Sequence, residues 1–401
     1  MAPVASEVGH SATGTPGADP ASPGNGGRHR STPHHGRAPG AARPGATGDR
    51  LAGLDAARGL AVLSMLVAHL SPVGGVLDLS EYLTAPLFAV TIGAAMGLAL
   101  ARPHVDRLRF VLDNALRGVL LVLLGVVLQA LYWQIDVVLP YLGVLVVVLA
   151  PFALLLRPVP VLAVGLVVAG AVLGPVVTER AREAVAAGTA ATGLTRDLVL
   201  WTATGPSYRL VSFLPMALAG VLLAALLPRL TRPGLPAALA AVLVTTSGVV
   251  HVLGLRTADG AAPYSGSTAE VVAATFLAAG AVAASFALVA LARAAVPVVS
   301  PVLGRLLPPV LAVGRLALTA YTLQVLVLAV IAGVRDGARD DTWPVLLTTT
   351  AVVVGACWAL DRFAGTGPLE VLVRAVRVPE RGRHGGPRRS QPATSGDVGP
   401  T

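Results

Sequence analysis

Ten runs of apolar residues, each of membrane-spanning length, constrain what this chain of 401 residues can fold into. They cover about 54–71, 82–101, 115–132, 137–156, 159–177, 208–228, 236–255, 270–292, 309–333 and 344–361. A helix of about 20 such residues crosses the hydrocarbon layer of a bilayer. A spanning segment must satisfy its own backbone hydrogen bonds, so these runs predict an all-α polytopic membrane bundle of about ten transmembrane helices. The charged fraction is 13%, against about 25% in soluble domains, which excludes an ordinary soluble enzyme.

An even number of spans puts both termini on one side. Arg102, Arg107, Arg109, Arg117, Arg157, Arg229, Arg232, Arg293 and Arg305 fall on that side, with more arginines from Arg362 to Arg389. The opposite loops carry Arg180, Arg182, Arg196, Arg209, Arg256, Arg335 and Arg339, interleaved with acids such as Glu179, Glu183, Asp197 and Asp336. This bias follows the positive-inside rule and predicts that both termini are cytoplasmic. The net charge of +9 then reports topology, and no nucleic-acid partner is expected. All 30 basic residues are arginine, and with the abundant Ala, Gly, Pro and Val this reads as a GC-rich bacterial genome. The expected location is a bacterial plasma membrane, with membrane lipids as surroundings.

Residues 1–49 are Pro-, Gly-, Arg- and His-rich and read as a disordered cytoplasmic tail; 50–378 read as the transmembrane domain and 379–401 as a disordered basic tail. The first helix reads as a retained signal anchor. His29, His34 and His35 lack partners at ligand spacing, so no metal is expected. The lone Cys357 sits in an apolar run and reads as a core residue. Residues 178–207 read either as a helix lying on the membrane surface or as a solvated connector. Gly93 and Gly97 form a small-residue face suited to close helix packing.

The first span, Leu54 to Leu70, carries Asp55, Arg58 and His69, and ionisable residues in a span mark functional sites by default. At 100° per residue Arg58 and His69 project within about 20° of each other, and Asp55 and His69 within about 40°. Arg58 and His69 lie about 16 Å apart along the axis, roughly half the hydrocarbon thickness. His69 is the candidate general base, because an imidazole can take a proton from a hydroxyl near neutral pH. The topology brings Asp136 and Glu270 to its depth as candidate orienting carboxylates, Asp136 first. Towards the cytoplasm, Arg58 and Arg315 would form an anion site suited to a phosphate-bearing donor, with Asp55 holding Arg58 one turn away.

The pattern of Asp55, Arg58, Gly59 and His69 resembles the first helix of the transmembrane acyltransferase superfamily. That group includes bacterial polysaccharide O-acyltransferases and heparan-alpha-glucosaminide N-acetyltransferase-like proteins. Gly314 to Gln324, GRLALTAYTLQ, and Gly367 to Arg374, GPLEVLVR, are similar to the carboxy-terminal signatures of the YeiB-like bacterial membrane family. Asp136 followed by Tyr141 resembles a YeiB-like pair after the third helix. His69 matches the O-acyltransferase pattern, where YeiB-like and heparan-type members usually carry asparagine.

The resemblance implies transfer of an acyl group from cytosolic acyl-CoA, acetyl-CoA above all, to a hydroxyl or amine of a cell-surface glycan or glycolipid. It places Tyr321 and Gln324 with Arg58, Arg315 and Asp55 at the donor. A transporter or flippase for a small anion or lipid-linked precursor is the alternative, with the arginines as substrate site and His69 as proton relay. A structural partner without turnover is a third reading. Neither the acceptor nor the oligomeric state is written in the residues.

Overall fold

The computed structural model describes residues 46–376 apart from 73–76, 78, 133, 190–192, 231–233, 259, 295–298 and 336–340. The tail expected at 379–401, and that expected at 1–49 up to residue 45, lie outside the described residues. The chain is all-α, in the order α1 (Ala46–Leu70), α2 (Leu79–Leu100), α3 (Arg107–Leu131), α4 (Leu139–Leu156), α5 (Pro160–Ala184), α6 (Leu194–Val199), α7 (Leu210–Ala224), α8 (Gly234–Gly254), α9 (Thr268–Arg293), α10 (Val299–Arg315), α11 (Ala317–Val334), α12 (Trp343–Phe363) and α13 (Pro368–Ala375). Helix α1 begins inside the stretch expected to be tail, because hydropathy marks its apolar part, Ala52–Leu70, and not its first turn.

Among the described residues nine helices are long and apolar enough to cross a membrane, and α7 is a shorter apolar one. Together they correspond to the ten expected runs. Their burial separates two layers. Helices α1, α2, α4 and α9 form an inner layer with α7, while α3, α5, α8, α11 and α12 leave most of their apolar surface uncovered, as lipid-facing helices do.

Helices inside lipid gain nothing from hiding Leu from Leu, so close approach through small residues supplies the packing. Gly93 of α2 sits against the Ala217 carbonyl and Gly97 against Ala224, while Gly220 of α7 sits against the Val90 carbonyl. An added Cβ at Gly93 would come within 1.8 Å of that carbonyl oxygen. Gly118 of α3 and Gly143 of α4 face each other in the same way.

The expected run at 309–333 is not one helix. The chain breaks at Leu316 (φ −109°, ψ 34°) into α10 and α11. Helix α10 crosses α1 where Gly59 meets Val310 and Gly314 meets Asp55, and it exposes Val302, Arg305 and Leu306. The break is stabilised from α13. Glu370 accepts hydrogen bonds from the Leu318 and Thr319 amides at 3.0 and 3.1 Å and from the Thr319 hydroxyl at 2.5 Å. A carboxylate there satisfies the orphan donors of a helix start and meets the positive end of its dipole. The two carboxy-terminal signatures thus contact each other, and Gly367 leaves room for the Glu370 carboxylate.

Candidate functional site

The polar residues of the bundle gather in two places. One surrounds Asp55 on α1. Arg58 donates to Asp55 at 3.3 Å, and Arg315, at the end of α10, holds Asp361 of α12 through Nε at 2.8 Å and through a second, shorter bond from Nη2. Asp55 also lies within electrostatic reach of Arg315 and Asp361. The structure therefore brings together Asp55, Arg58 and Arg315, as expected, and adds Asp361. Its two guanidinium and two carboxylate groups sum to zero formal charge.

The other place surrounds His69 and Asp136. His69, half-buried in the last turn of α1, lies 3.2 Å from Gln324 of α11, Nδ1 to Nε2. When the Gln324 amide nitrogen donates, the ring proton sits on Nε2. When its oxygen faces the ring, it accepts from Nδ1–H and frees Nε2 as a base. Gln324 is 1% exposed and its Oε1 has no hydrogen-bond partner among the described residues. One turn earlier on the same face of α11, the Tyr321 hydroxyl accepts from the Val138 amide at 3.1 Å. Helix α11 thus touches both α1 and the connection that carries Asp136.

That connection, between α3 and α4, is held by Gln129. Its Nε2 donates to the Ile135 carbonyl at 3.0 Å and its Oε1 accepts from the Val137 amide at 2.8 Å, on either side of Asp136. The Asp136 side chain hydrogen-bonds Ser207, and Oδ2 is buried without a partner among the described residues. Burial holds the Asp136 carboxyl above its usual range, against the lowering effect of Ser207. Tyr141, Tyr208 and Tyr321 all lie close enough to feel its charge. Tyr208 stacks edge-on with Tyr141 and Tyr264 at 5.6 and 5.5 Å, and burial pushes its phenol well up.

Among the described residues His69 hydrogen-bonds Gln324, and neither Asp136 nor Glu270 is its partner. Glu270 serves the start of α9. Its amide donates to the Ser267 hydroxyl at 3.1 Å and its Oε2 accepts from the Gly266 amide at 2.7 Å, a capping arrangement. Beside it Arg209, 2% exposed, donates to the carbonyls of Pro206, Tyr264 and Ser265, and burial lowers its affinity for the proton. Arg209 falls among the loop arginines in sequence and Gln324 at the donor by resemblance, whereas the fold buries the first and sets the second against His69. No local signal reveals the burial of Arg209, but the Ser267-to-Glu270 spacing is a capping-box signature that marks Glu270's structural duty.

Fold and site together define an all-α, multi-pass membrane protein with polar side chains at two levels inside its bundle. Residues 228–378 match the model of a family described as a protein of unknown function (DUF418), a family of membrane proteins that includes YeiB-like members. The matched stretch runs from before α8 through α13 and holds Glu270, Arg315, Tyr321, Gln324 and Glu370, whereas Asp55, Arg58, His69 and Asp136 precede it. Comparison with curated proteins gives no match.

Proposed function

We propose that the protein is an integral membrane acyltransferase that moves an acyl group, acetyl in the first instance, from cytosolic acyl-CoA to a hydroxyl or amine of a cell-surface glycan or glycolipid. The observation that carries this reading is the His69–Gln324 contact. A half-buried histidine whose second nitrogen meets an amide able to donate or accept can be held as a neutral base and then as an imidazolium. His69 Nε2 takes the acceptor proton, the acceptor oxygen or nitrogen attacks the thioester carbon, and the C–S bond breaks as CoA leaves as a thiolate that picks up a proton. Gln324 Oε1 accepts from Nδ1–H while the ring is charged, and Asp136 with Ser207 receives the acceptor's other hydroxyls. Arg58 and Arg315 keep guanidinium donors beyond those given to Asp55 and Asp361, which suits them to donor phosphates.

The test is acetyl-CoA binding and thiol release by the protein in nanodiscs. Wild type binds and releases thiol, His69→Ala binds without turnover, and Arg58→Ala binds weakly. If no variant or wild type binds any acyl-CoA, the donor assignment is wrong.

The zero-sum pairing of Arg58 with Asp55 and of Arg315 with Asp361 favours a second reading. Paired charges that can part and re-form suit a gate, and the protein would then transport a small anion with His69 and Asp136 as proton sites. Under that reading a pH gradient drives uptake into vesicles and no thioester is cleaved.

A further inference from the structure

A groove of about 680 Å³ lies between the end of α5 and the segment around α6, and its lining shares no residue with either polar cluster. Its walls are apolar at Val185, Val199 and Leu200, and its charged lining residues are Arg182 and Arg196. The acids near these arginines in the chain, Glu179, Glu183 and Asp197, do not line the groove. Glu183 is engaged by Arg180 at 3.1 Å. Arg182 and Arg196 are exposed.

The backbone here is unusual. The chain kinks at Gly188 (φ 76°), just past Val185 on one wall, and forms a π-helical turn at Leu200–Thr204 on the other. Such turns widen a helix and recur at functional sites. The apolar stretch containing α5, Pro160–Gly188, is 29 residues long, about 43 Å of helix, enough to carry Arg182 to the head-group layer. The charge of Arg182 also opposes the buried Arg209 cation, and a bound anion would relieve that opposition.

We infer that this groove binds a lipid through its phosphate ester, with Arg182 and Arg196 on the phosphate and Val185, Val199 and Leu200 on the first methylenes of its chain. Two arginines with no carboxylate in the lining suit the phosphate oxygens, and the apolar walls offer a lipid chain a contact that a free anion would leave bare. Thr204, which also lines the groove, precedes by three residues Ser207, the partner of Asp136. Such binding is independent of acyl transfer.

The test titrates the full-length protein in detergent with phosphatidylglycerol, phosphatidylcholine or inorganic phosphate and reads bound lipid by native mass spectrometry. Wild type is expected to retain one phosphatidylglycerol at least about tenfold more tightly than phosphatidylcholine. The double variant Arg182→Gln, Arg196→Gln loses that preference, the double lysine variant keeps most of it, and Arg180→Gln, on the same helix, binds as wild type. These side chains are exposed, and a thermal melt of each variant confirms its fold. Equal retention of both lipids by wild type, or a preference that survives in the double glutamine variant, overturns the assignment. Displacement of phosphatidylglycerol by an equal concentration of inorganic phosphate overturns the role of the lipid chain.

Discussion

The two polar clusters solve the same problem in opposite ways. Around Asp55 each charge meets an opposite one, and Glu370 nearby spends its carboxylate on three donors. Around His69 and Asp136 the side chains are mostly neutral and bury polar atoms that lack partners among the described residues, Gln324 Oε1 and Asp136 Oδ2 among them. Four of the six tyrosines of the chain, Tyr141, Tyr208, Tyr264 and Tyr321, lie close enough to Asp136 to feel its charge. Tyr82 donates to the Ala261 carbonyl and sets its ring edge-on to His251 at 5.1 Å. Charge pairing holds helices in place and leaves Arg58 and Arg315 their outer guanidinium donors, whereas buried polar atoms without partners are available to the reacting groups themselves.

Substitutions can break this division. The largest effect is expected at the unsaturated end, where His69→Ala removes the base and lowers thiol release by about 10²–10⁴-fold with an unchanged thermal melt. Turnover comparable to wild type would assign chemistry elsewhere. Gln324→Leu keeps the volume but deletes the acceptor for the charged ring, and turnover is expected to fall about tenfold with acyl-CoA binding intact. If binding falls instead, Gln324 belongs to the donor site.

At the charge-paired end, Glu370 and the Arg315–Asp361 pair are read through stability, beside the acyl-CoA binding that reads Arg58. Glu370→Ala uncaps α11 and is expected to cost about 1–3 kcal/mol, read as a lower midpoint of thermal unfolding in detergent. A double-mutant cycle on Arg315 and Asp361 is expected to give a coupling of at most about 1 kcal/mol, because the Arg315 side chain is 43% exposed and solvent screens it. A much larger value would make that pair a structural keystone and not a separable gate.

The smallest effect sharpens the comparison through pH. The folded Asp136 carboxyl titrates above its unfolded counterpart, so between the two values the folded state holds the extra proton. Stability is then lost as pH rises through that window and stays reduced above it. Asp136→Asn lacks the penalty. Its melting midpoint should match wild type below the ordinary carboxylate range and exceed it increasingly as pH climbs, and a constant difference at every pH would refute the assignment.

What the sequence made legible follows from the physics of each signal. Spans are long, periodic and apolar, and the small-residue faces at Gly93 and Gly97 pack as their spacing suggests. The break at Leu316 is invisible because Leu, Ala and Leu read as continuous span, while the capping carboxylate lies 52 positions downstream of the amide it serves. The Asp55–Arg58 pair is one helical turn apart and local. The His69–Gln324 and Arg315–Asp361 contacts join residues far apart in the chain, which periodicity cannot connect.

Helix α7 has 15 residues, about 22 Å, where a bilayer's insulating layer is about 30 Å deep. Being an inner helix, it does not have to match the lipid, and its start is occupied by Arg209, Tyr208 and their polar neighbours. The other inner helices run 18 to 26 residues, so the length missing from α7 is made up by the buried Tyr208–Arg209 segment before it and by the short turn at Leu227–Arg229 after it. Irregular backbone can sit there because protein, and not lipid, surrounds it.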